Sequence, residues 1–267
     1  MRYVYDHDYH IHSQLSSCSR DPEQTPERLL EYAQSNGLTS MVLTDHHWDE
    51  SVPGASDWYA PQDYKWIKQS LPLPQREGIK LMFGCECDMD KYFTLGMAKE
   101  HFDRFDFVVI PTTHLHMRGF TISEEDAGSL ERRAELWVER LDRLLDMDIP
   151  FSKVGIAHLA CGLIANSSRE DYLKVMEMLP EGELHRLFEK AAQLGVGIEL
   201  NFSDMSCSDE EADVVLRPFR IAREHGCKFY MATDAHHPAS LDKAKAVFER
   251  TIDRLGLTED DKFHIGE

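Results

Sequence analysis

Histidines and carboxylates recur at the ends of short apolar runs along this chain: Asp8-x-His10-x-His12, Asp45-His46-His47, Glu86, His114-x-His116, His158 and Asp234-x-His236-His237. These side chains ligate divalent first-row metals, and a dense group of them is the raw material of a metal-activated hydrolase. His10-x-His12 is the sharpest local signal. On an extended segment, residues two apart project to the same side, so both imidazoles can face one ion. The competing reading is a barrel mouth where histidines and acids only hydrogen-bond one another, which leaves many crowded imidazoles short of partners.

Residues this far apart in sequence need a scaffold that gathers them. Val42-Leu43 leads into Thr44-Asp45-His46, Phe107 to Ile110 into Thr112-Thr113-His114, Val154 to Ala157 into His158, and Phe229 to Ala232 into Thr233-Asp234-Ala235-His236. Each reads as a short buried strand that stops at a ligand-type side chain. With Asp8, Asp45, Glu86, His114, His158, Glu199 and Asp234 as strand-end markers, the intervals run from 28 to 44 residues. That is room for one helix and two loops per interval, and hence for seven parallel βα units. In a barrel of such units the carboxyl ends of the strands all open on one face.

Between these markers the chain reads as ordinary α/β architecture. A first strand is expected at Tyr3-Val4-Tyr5, and a helix from Thr25-Pro26-Glu27-Arg28 to Gly37, with Thr25 as cap and Pro26 at the first helical position. Trp48 to Gln75 carries four prolines and the aromatics Trp48, Trp58, Tyr59, Tyr64 and Trp66, and reads as an excursion lying over the site. Residues 124–147 form an expected amphipathic helix, apolar at Leu130, Ala134, Trp137, Leu141, Leu144 and Leu145 with charges on the other side; 181–194, 208–225 and 239–255 repeat the pattern.

Composition bounds what the site can serve. With 267 residues, 42 % of them hydrophobic, the chain can bury a full core, and one domain over residues 1–267 is expected. A formal net charge of -19 works against tracking along a nucleic-acid backbone, though a small anionic substrate remains open where bound cations invert the local field. Six cysteines show no framework spacing, and neither a signal segment nor a run of membrane-spanning length is evident. A reducing cytoplasm is the simplest location.

As an ordered series, Asp8-Tyr-His10-Ile-His12-Ser, Thr44-Asp45-His46, Gly84-Cys-Glu86, Thr113-His114, Ala157-His158 and Thr233-Asp234-Ala-His236 resemble the PHP (polymerase and histidinol phosphatase) metallophosphoesterases over nearly the whole chain. The resemblance implies a distorted (β/α)7 TIM-like barrel with two or three divalent ions, zinc, manganese or iron, at the carboxyl ends of the strands. It implies that His10, His12, Glu86 and Asp234 hold a first ion, that Glu86 bridges to a second held by His114 and His158, and that His46 and His236 hold a third. Where the family places another third-site histidine, this chain has Cys18. A thiolate there could keep the ion, Asp21 could replace it, or the site could hold two ions only.

The chemistry expected of such a centre is release of phosphate from a small molecule by metal-activated hydroxide, with Glu86 and Asp234 essential and Asp234 or a nearby histidine passing the proton to the leaving alkoxide. Arg20 and Arg118 are candidates to clamp the phosphate, His47 and His116 to face substrate, and Asn201 to support the site. The alternatives are phosphodiester cleavage on short oligonucleotides or nucleoside bisphosphates, an amidohydrolase-type carbon–nitrogen hydrolase, and a metal-binding module without catalysis. A long nucleic acid and a membrane are not expected as partners.

Overall fold

A computed structural model of the protein describes residues 1–165 and 167–267. The strands are β1 (His7–Ile11), β2 (Ser40–Leu43), β3 (His46–His47), β4 (Lys80–Cys87), β5 (Phe107–Pro111), β6 (Val154–Ala157), β7 (Gly197–Asn201) and β8 (Lys228–Ala232). All pairs are parallel, in the order β1-β2-β4-β5-β6-β7-β8, and the two-residue β3 continues β2 along β4. Bonds from the Asp234 amide to the His10 carbonyl (2.7 Å) and from the His12 amide to the Ala235 carbonyl (3.1 Å) join the ends of the sheet. The result is a nearly closed seven-stranded α/β barrel, as the spacing of strand ends predicts.

Helices α1 (Pro26–Asn36), α2 (Tyr64–Ile67), α3 (Leu130–Leu145), α4 (Arg169–Met178), α5 (Glu181–Leu194), α6 (Phe202–Met205), α7 (Ala212–Val215), α8 (Arg217–Glu224) and α9 (Ala244–Leu255) fill the connections. α1 has the predicted boundaries: Thr25 Oγ1 accepts from the Arg28 amide, and Gly37 ends the helix in the left-handed region at φ 73°. The stretch 208–225 is broken at Leu216, ahead of Pro218, into α7 and α8, and α3 starts later than the charge pattern suggests, at a Ser129 cap. None of the described helices is long and apolar enough to cross a membrane.

Tyr3-Val4-Tyr5 is not the first strand. Tyr3 and Tyr5 are buried, but they pack beneath the barrel, Tyr3 Oη donating to the Phe229 carbonyl (2.8 Å), and the strand begins at His7. The reason is that β1 carries His7, Asp8 and His10, all buried, so its sequence lacks the apolar run that marks the other strands. Inside the barrel, Tyr9, Phe107, Tyr230 and Phe263 form a plug of buried side chains with Val42, Met82 and Val109. Gly155 makes room for it: a Cβ there would lie 2.3 Å from Tyr230 Oη and 2.5 Å from Phe107.

α3 also corrects its expected polarity. Arg133 and Arg140 lie on its buried face with Trp137. Arg140 is fully buried and donates to the carbonyls of Met89 (2.6 Å), Asp90 (3.0 Å), Thr112 (2.7 Å) and Thr121 (3.1 Å). Arg133 donates to those of Leu115, Ala127 and Ile164. Two guanidinium groups thus satisfy loop carbonyls that have no sheet partner, and they hold the loops after β4, β5 and β6 in place.

Candidate metal centre

The strand ends deliver His10, His12, His46, Glu86, His114, His158, Asp234 and His236 to one mouth of the barrel. Two of them sit at unusual backbone positions: His158 has φ 62° and Asp234 φ 52°. For non-glycine residues the left-handed region costs roughly 1 kcal/mol or more, and such residues cluster at functional sites. His158 follows β6 directly and Asp234 follows β8 after Thr233, so in each case the left-handed step comes just past the strand, where the side chain is needed.

Four imidazoles have one ring nitrogen already engaged. His10 Nδ1 donates to Glu199 Oε1 (2.6 Å) and His114 Nδ1 to Asp88 Oδ2 (2.8 Å). The Ser16 hydroxyl donates to Asp45 Oδ1 (2.6 Å) and in turn accepts from His12 Nδ1 (2.8 Å), while His236 Nδ1 donates to the Asp234 carbonyl (2.8 Å). Each bond fixes the tautomer that leaves Nε2 as a bare lone pair. The Nε2 atoms of His10 and His12 are 3.1 Å apart, with Asp234 Oδ1 at 3.5 and 3.1 Å from them.

Glu86 lies between two groups of histidines. Its Oε2 is 2.8 Å from His46 Nδ1, 3.4 Å from His12 Nε2 and 3.5 Å from His10 Nε2; its Oε1 is 3.6 Å from His158 Nε2 and 3.9 Å from His114 Nε2. Both oxygens are buried without a hydrogen-bond partner, as is His46 Nδ1. Burial opposes charge on Glu86, yet His46 and His10 hold its pKa well below the usual carboxylate range. Burial likewise opposes charge on His10, but Glu199, Glu86 and Asp234 hold its pKa well above the ordinary imidazole value. A buried centre of this kind demands positive charge, and four groups of converging donors, three of nitrogen and oxygen alone and one, His158 with Cys161 and Asp204, that adds a thiol, can bind it. The three of nitrogen and oxygen alone are His10 with His12 and Asp234, His10 with Glu86 and His158, and His12 with His46 and His236. The donor set therefore fits divalent first-row ions.

The centre opens into a cavity of about 740 Å³ lined by Cys18, His46, Glu86, His114, His158, Asp234 and His236 together with Arg118, His116 and an aromatic wall. Cys18 reaches this cavity but stands outside the converging donor groups, and burial with the nearby Glu86 and Asp234 carboxylates pushes its thiol pKa up. Asp21 faces His237 (3.4 Å) and accepts from the Glu23 amide; it does not join the centre.

Arg20 and His47 are not at the cavity. Arg20 is exposed and turns back to the Ser17 carbonyl (2.6 Å). His47 is the strand neighbour of His46 and so points the other way; its Nδ1 donates to the Gln62 carbonyl (3.2 Å) and its ring packs on Phe105. Arg118 and His116 do line the cavity, and burial beside His114 lowers the His116 pKa to about 4.

Sequence reasoning missed the supporting acids. Glu199 marks a strand end, but support was expected from Asn201; it is Glu199 that binds His10 and also accepts from the His158 amide (2.8 Å), with Asn201 Nδ2 3.4 Å behind it. Asp88, two residues after Glu86, was likewise overlooked as the partner of His114. Its i+2 position on the same strand face was the available signal.

Among solved structures, the fold is similar to histidinol phosphate phosphatase from Lactococcus lactis, complexed with zinc, L-histidinol and phosphate: TM-score 0.60, 17 % identity, covering 98 % of this chain and 100 % of that one. It is also similar to a candidate histidinol phosphatase from Listeria monocytogenes: TM-score 0.59, 13 % identity, covering 91 % and 99 %. At these identities the likeness is one of fold. No curated protein sequence matches the chain. The PHP domain family matches residues 8–203, which spans most of the strand-end donors described above, and the chain belongs to that family.

Proposed function

We propose that the protein is a metal-dependent phosphomonoesterase that releases phosphate from a small molecule, with histidinol phosphate one candidate and nucleotide or sugar phosphates others. The observation that carries this reading is Glu86, a buried carboxylate whose two unpartnered oxygens each face a different histidine group at the floor of an open cavity. His10, His12 and Asp234 would hold one ion, Glu86 with His114 and His158 a second, and His46 with His236 and His12 or Cys18 a third. Zinc, manganese or iron held there would supply water activation and neutralise charge on the phosphoryl oxygens.

The protein's own contribution is orientation and charge. Glu199, Ser16, Asp88 and the Asp234 carbonyl accept from Nδ1 of their histidines, so that Nε2 is the nitrogen left to face an ion, and they fix the direction of each ring. Arg118 is, among the described residues, the one guanidinium on the cavity lining and would hold a phosphoryl oxygen. Asp234 keeps one side on the cluster and is partly open to the cavity, which suits it to pass a proton toward the leaving oxygen. All six cysteines are free, in keeping with a reducing compartment such as the cytoplasm.

The test is hydrolysis of a panel of monoesters, a nucleoside bisphosphate and a short oligonucleotide by metal-loaded wild type and Glu86→Gln. Phosphate released from monoesters, abolished in the variant and by chelation, supports the reading. Nucleotides released from the oligonucleotide move the assignment to a phosphodiesterase, and activity indifferent to chelators or to Glu86→Gln overturns the centre.

A further inference from the structure

Above the metal-binding floor, the cavity is walled by Trp58, Met117, Phe120 and Leu163. They come from three separate loops, after β3, β5 and β6, and all four are only partly buried, so each leaves apolar surface open to whatever occupies the cavity. Trp58 stands edge-on to Tyr59 (ring centroids 4.7 Å apart, 87°) and to His46 (4.9 Å, 71°). Phe120 leans on Tyr59 (5.5 Å) and on Trp48 (5.4 Å). Tyr59 is fully buried and donates its hydroxyl to Asp88 Oδ2 (2.7 Å), the same oxygen that receives His114 Nδ1. The wall is therefore preformed and fixed to the metal-binding floor, with two aromatic rings braced on one anchored tyrosine.

The charges on the lining are equally selective. Among the described residues Arg118 is its one permanent cation, which leaves no further side-chain cation for a second phosphate. Among the described residues its carboxylates are Glu86 and Asp234, both on the floor and turned onto histidines with Asp234 only partly open, so the wall above them offers no acid to pair with an ammonium group. Above the floor Ser56, Ser203 and His116 are the neutral polar side chains of the lining, too few to replace the water bonds of a sugar's several hydroxyls against an otherwise apolar wall.

We propose that the leaving group of the substrate is an uncharged, flat aromatic ring on a short arm, bound against Trp58 and Phe120, and that the substrate carries a single phosphate. This rests on the phosphomonoesterase reading and narrows it: an arylalkyl phosphate is preferred to histidinol phosphate, hexose phosphates and nucleoside bisphosphates. Trp58 and Phe120 are the specificity-determining residues. Aromatic faces favour stacking with flat rings, and burying the ring adds the hydrophobic gain.

The experiment compares kcat/KM for 2-phenylethyl phosphate, 2-(indol-3-yl)ethyl phosphate, n-hexyl phosphate, histidinol phosphate, glucose 6-phosphate and adenosine 3′,5′-bisphosphate in wild type, Trp58→Ala, Trp58→Phe and Phe120→Ala. The expected result is a preference of about tenfold or more for the two aryl esters, lost in the alanine variants mainly through KM and retained in Trp58→Phe. Equal or better turnover of histidinol phosphate, the sugar ester or the bisphosphate overturns the proposal while leaving the phosphatase reading intact, as does an aryl preference unmoved by either alanine variant. If no monoester is hydrolysed, the phosphatase reading fails. Calorimetric binding of 2-phenylethylphosphonate then decides the wall on its own: binding weakened by Trp58→Ala supports it, and none in wild type overturns it.

Discussion

Replacing Glu199 with glutamine tests whether the site depends on the tautomers of its histidines. The change keeps side-chain size but turns one of two acceptor oxygens into a donor. In the native site Oε1 takes His10 Nδ1 at 2.6 Å and Oε2 takes the His158 amide at 2.8 Å. A glutamine must either set its NH2 against the His158 amide, donor against donor, or offer it to His10. In the second case His10 moves its proton to Nε2 and loses the lone pair that stands 3.1 Å from His12 Nε2. Either way one charge-assisted bond is lost, and removal of such outer support typically costs 10- to 100-fold in metal affinity, about 1.4–2.8 kcal/mol. Competition titration of zinc against a chromophoric chelator, with circular dichroism to confirm the fold, measures it. An affinity within about twofold of wild type in a folded variant would refute the reasoning. Asn201→Ala, which loses only a 3.4 Å contact to Glu199 in this network, is expected to change affinity less.

Further expectations follow from other parts of the molecule. Arg140→Met leaves four loop carbonyls unsatisfied and should lower stability by roughly 3–5 kcal/mol, read from denaturant midpoints; a change under about 1 kcal/mol would show that water replaces the guanidinium. Gly84→Ala would set a Cβ 2.5 Å from the Phe107 carbonyl oxygen and 2.6 Å from Val42, and should cost roughly 2–3 kcal/mol by overpacking between β2 and β5. Asp49 accepts from Ser51 and from His101; although burial opposes its charge, these donors hold its pKa down to about 2. Because the folded pKa is depressed, its stabilisation is present above the ordinary value of 3.8 and is lost as pH falls through about 2. Asp49→Asn should therefore flatten the acid-unfolding profile between those limits, and an unchanged profile would count against the assignment. Dialysis against a chelator should lower the melting temperature, with recovery on adding Mn²⁺ or Zn²⁺, since an ion bound only by the folded state stabilises it.

What could be read from the sequence was whatever repeats or alternates. His10 and His12 were legible because strand geometry fixes their common side, and Thr25 and Gly37 because helix ends demand particular chemistry. β1 was misplaced onto Tyr3-Val4-Tyr5 because its own residues serve the site and the plug and so break the apolar pattern. His47 and Arg20 illustrate a different limit: nearness to a ligand in sequence says nothing about direction, and a strand sends neighbours to opposite faces. Arg133 and Arg140 were hidden because helical periodicity treats a charged side chain as solvent-facing, whereas the loop carbonyls that receive them are defined only by the tertiary fold. Glu199 and Asp88 were obscured for the same reason, since the partner of an imidazole is set by strand register across the barrel.

The anchoring of Tyr59 on Asp88 bears on how this barrel can change over generations. Tyr59 serves both the rings above it and the histidine below, so its loss would disturb selectivity and metal affinity together, and it has little room to drift. Phe120 touches Tyr59 and Trp48 but none of the candidate ligands, whereas Trp58 also stands against the His46 ring. Phe120 can therefore be exchanged for other shapes while the floor stays as it is, and Trp58 for other flat rings that keep His46 in place, which gives descendants of this chain a route to new leaving groups that does not pass through a metal-free intermediate.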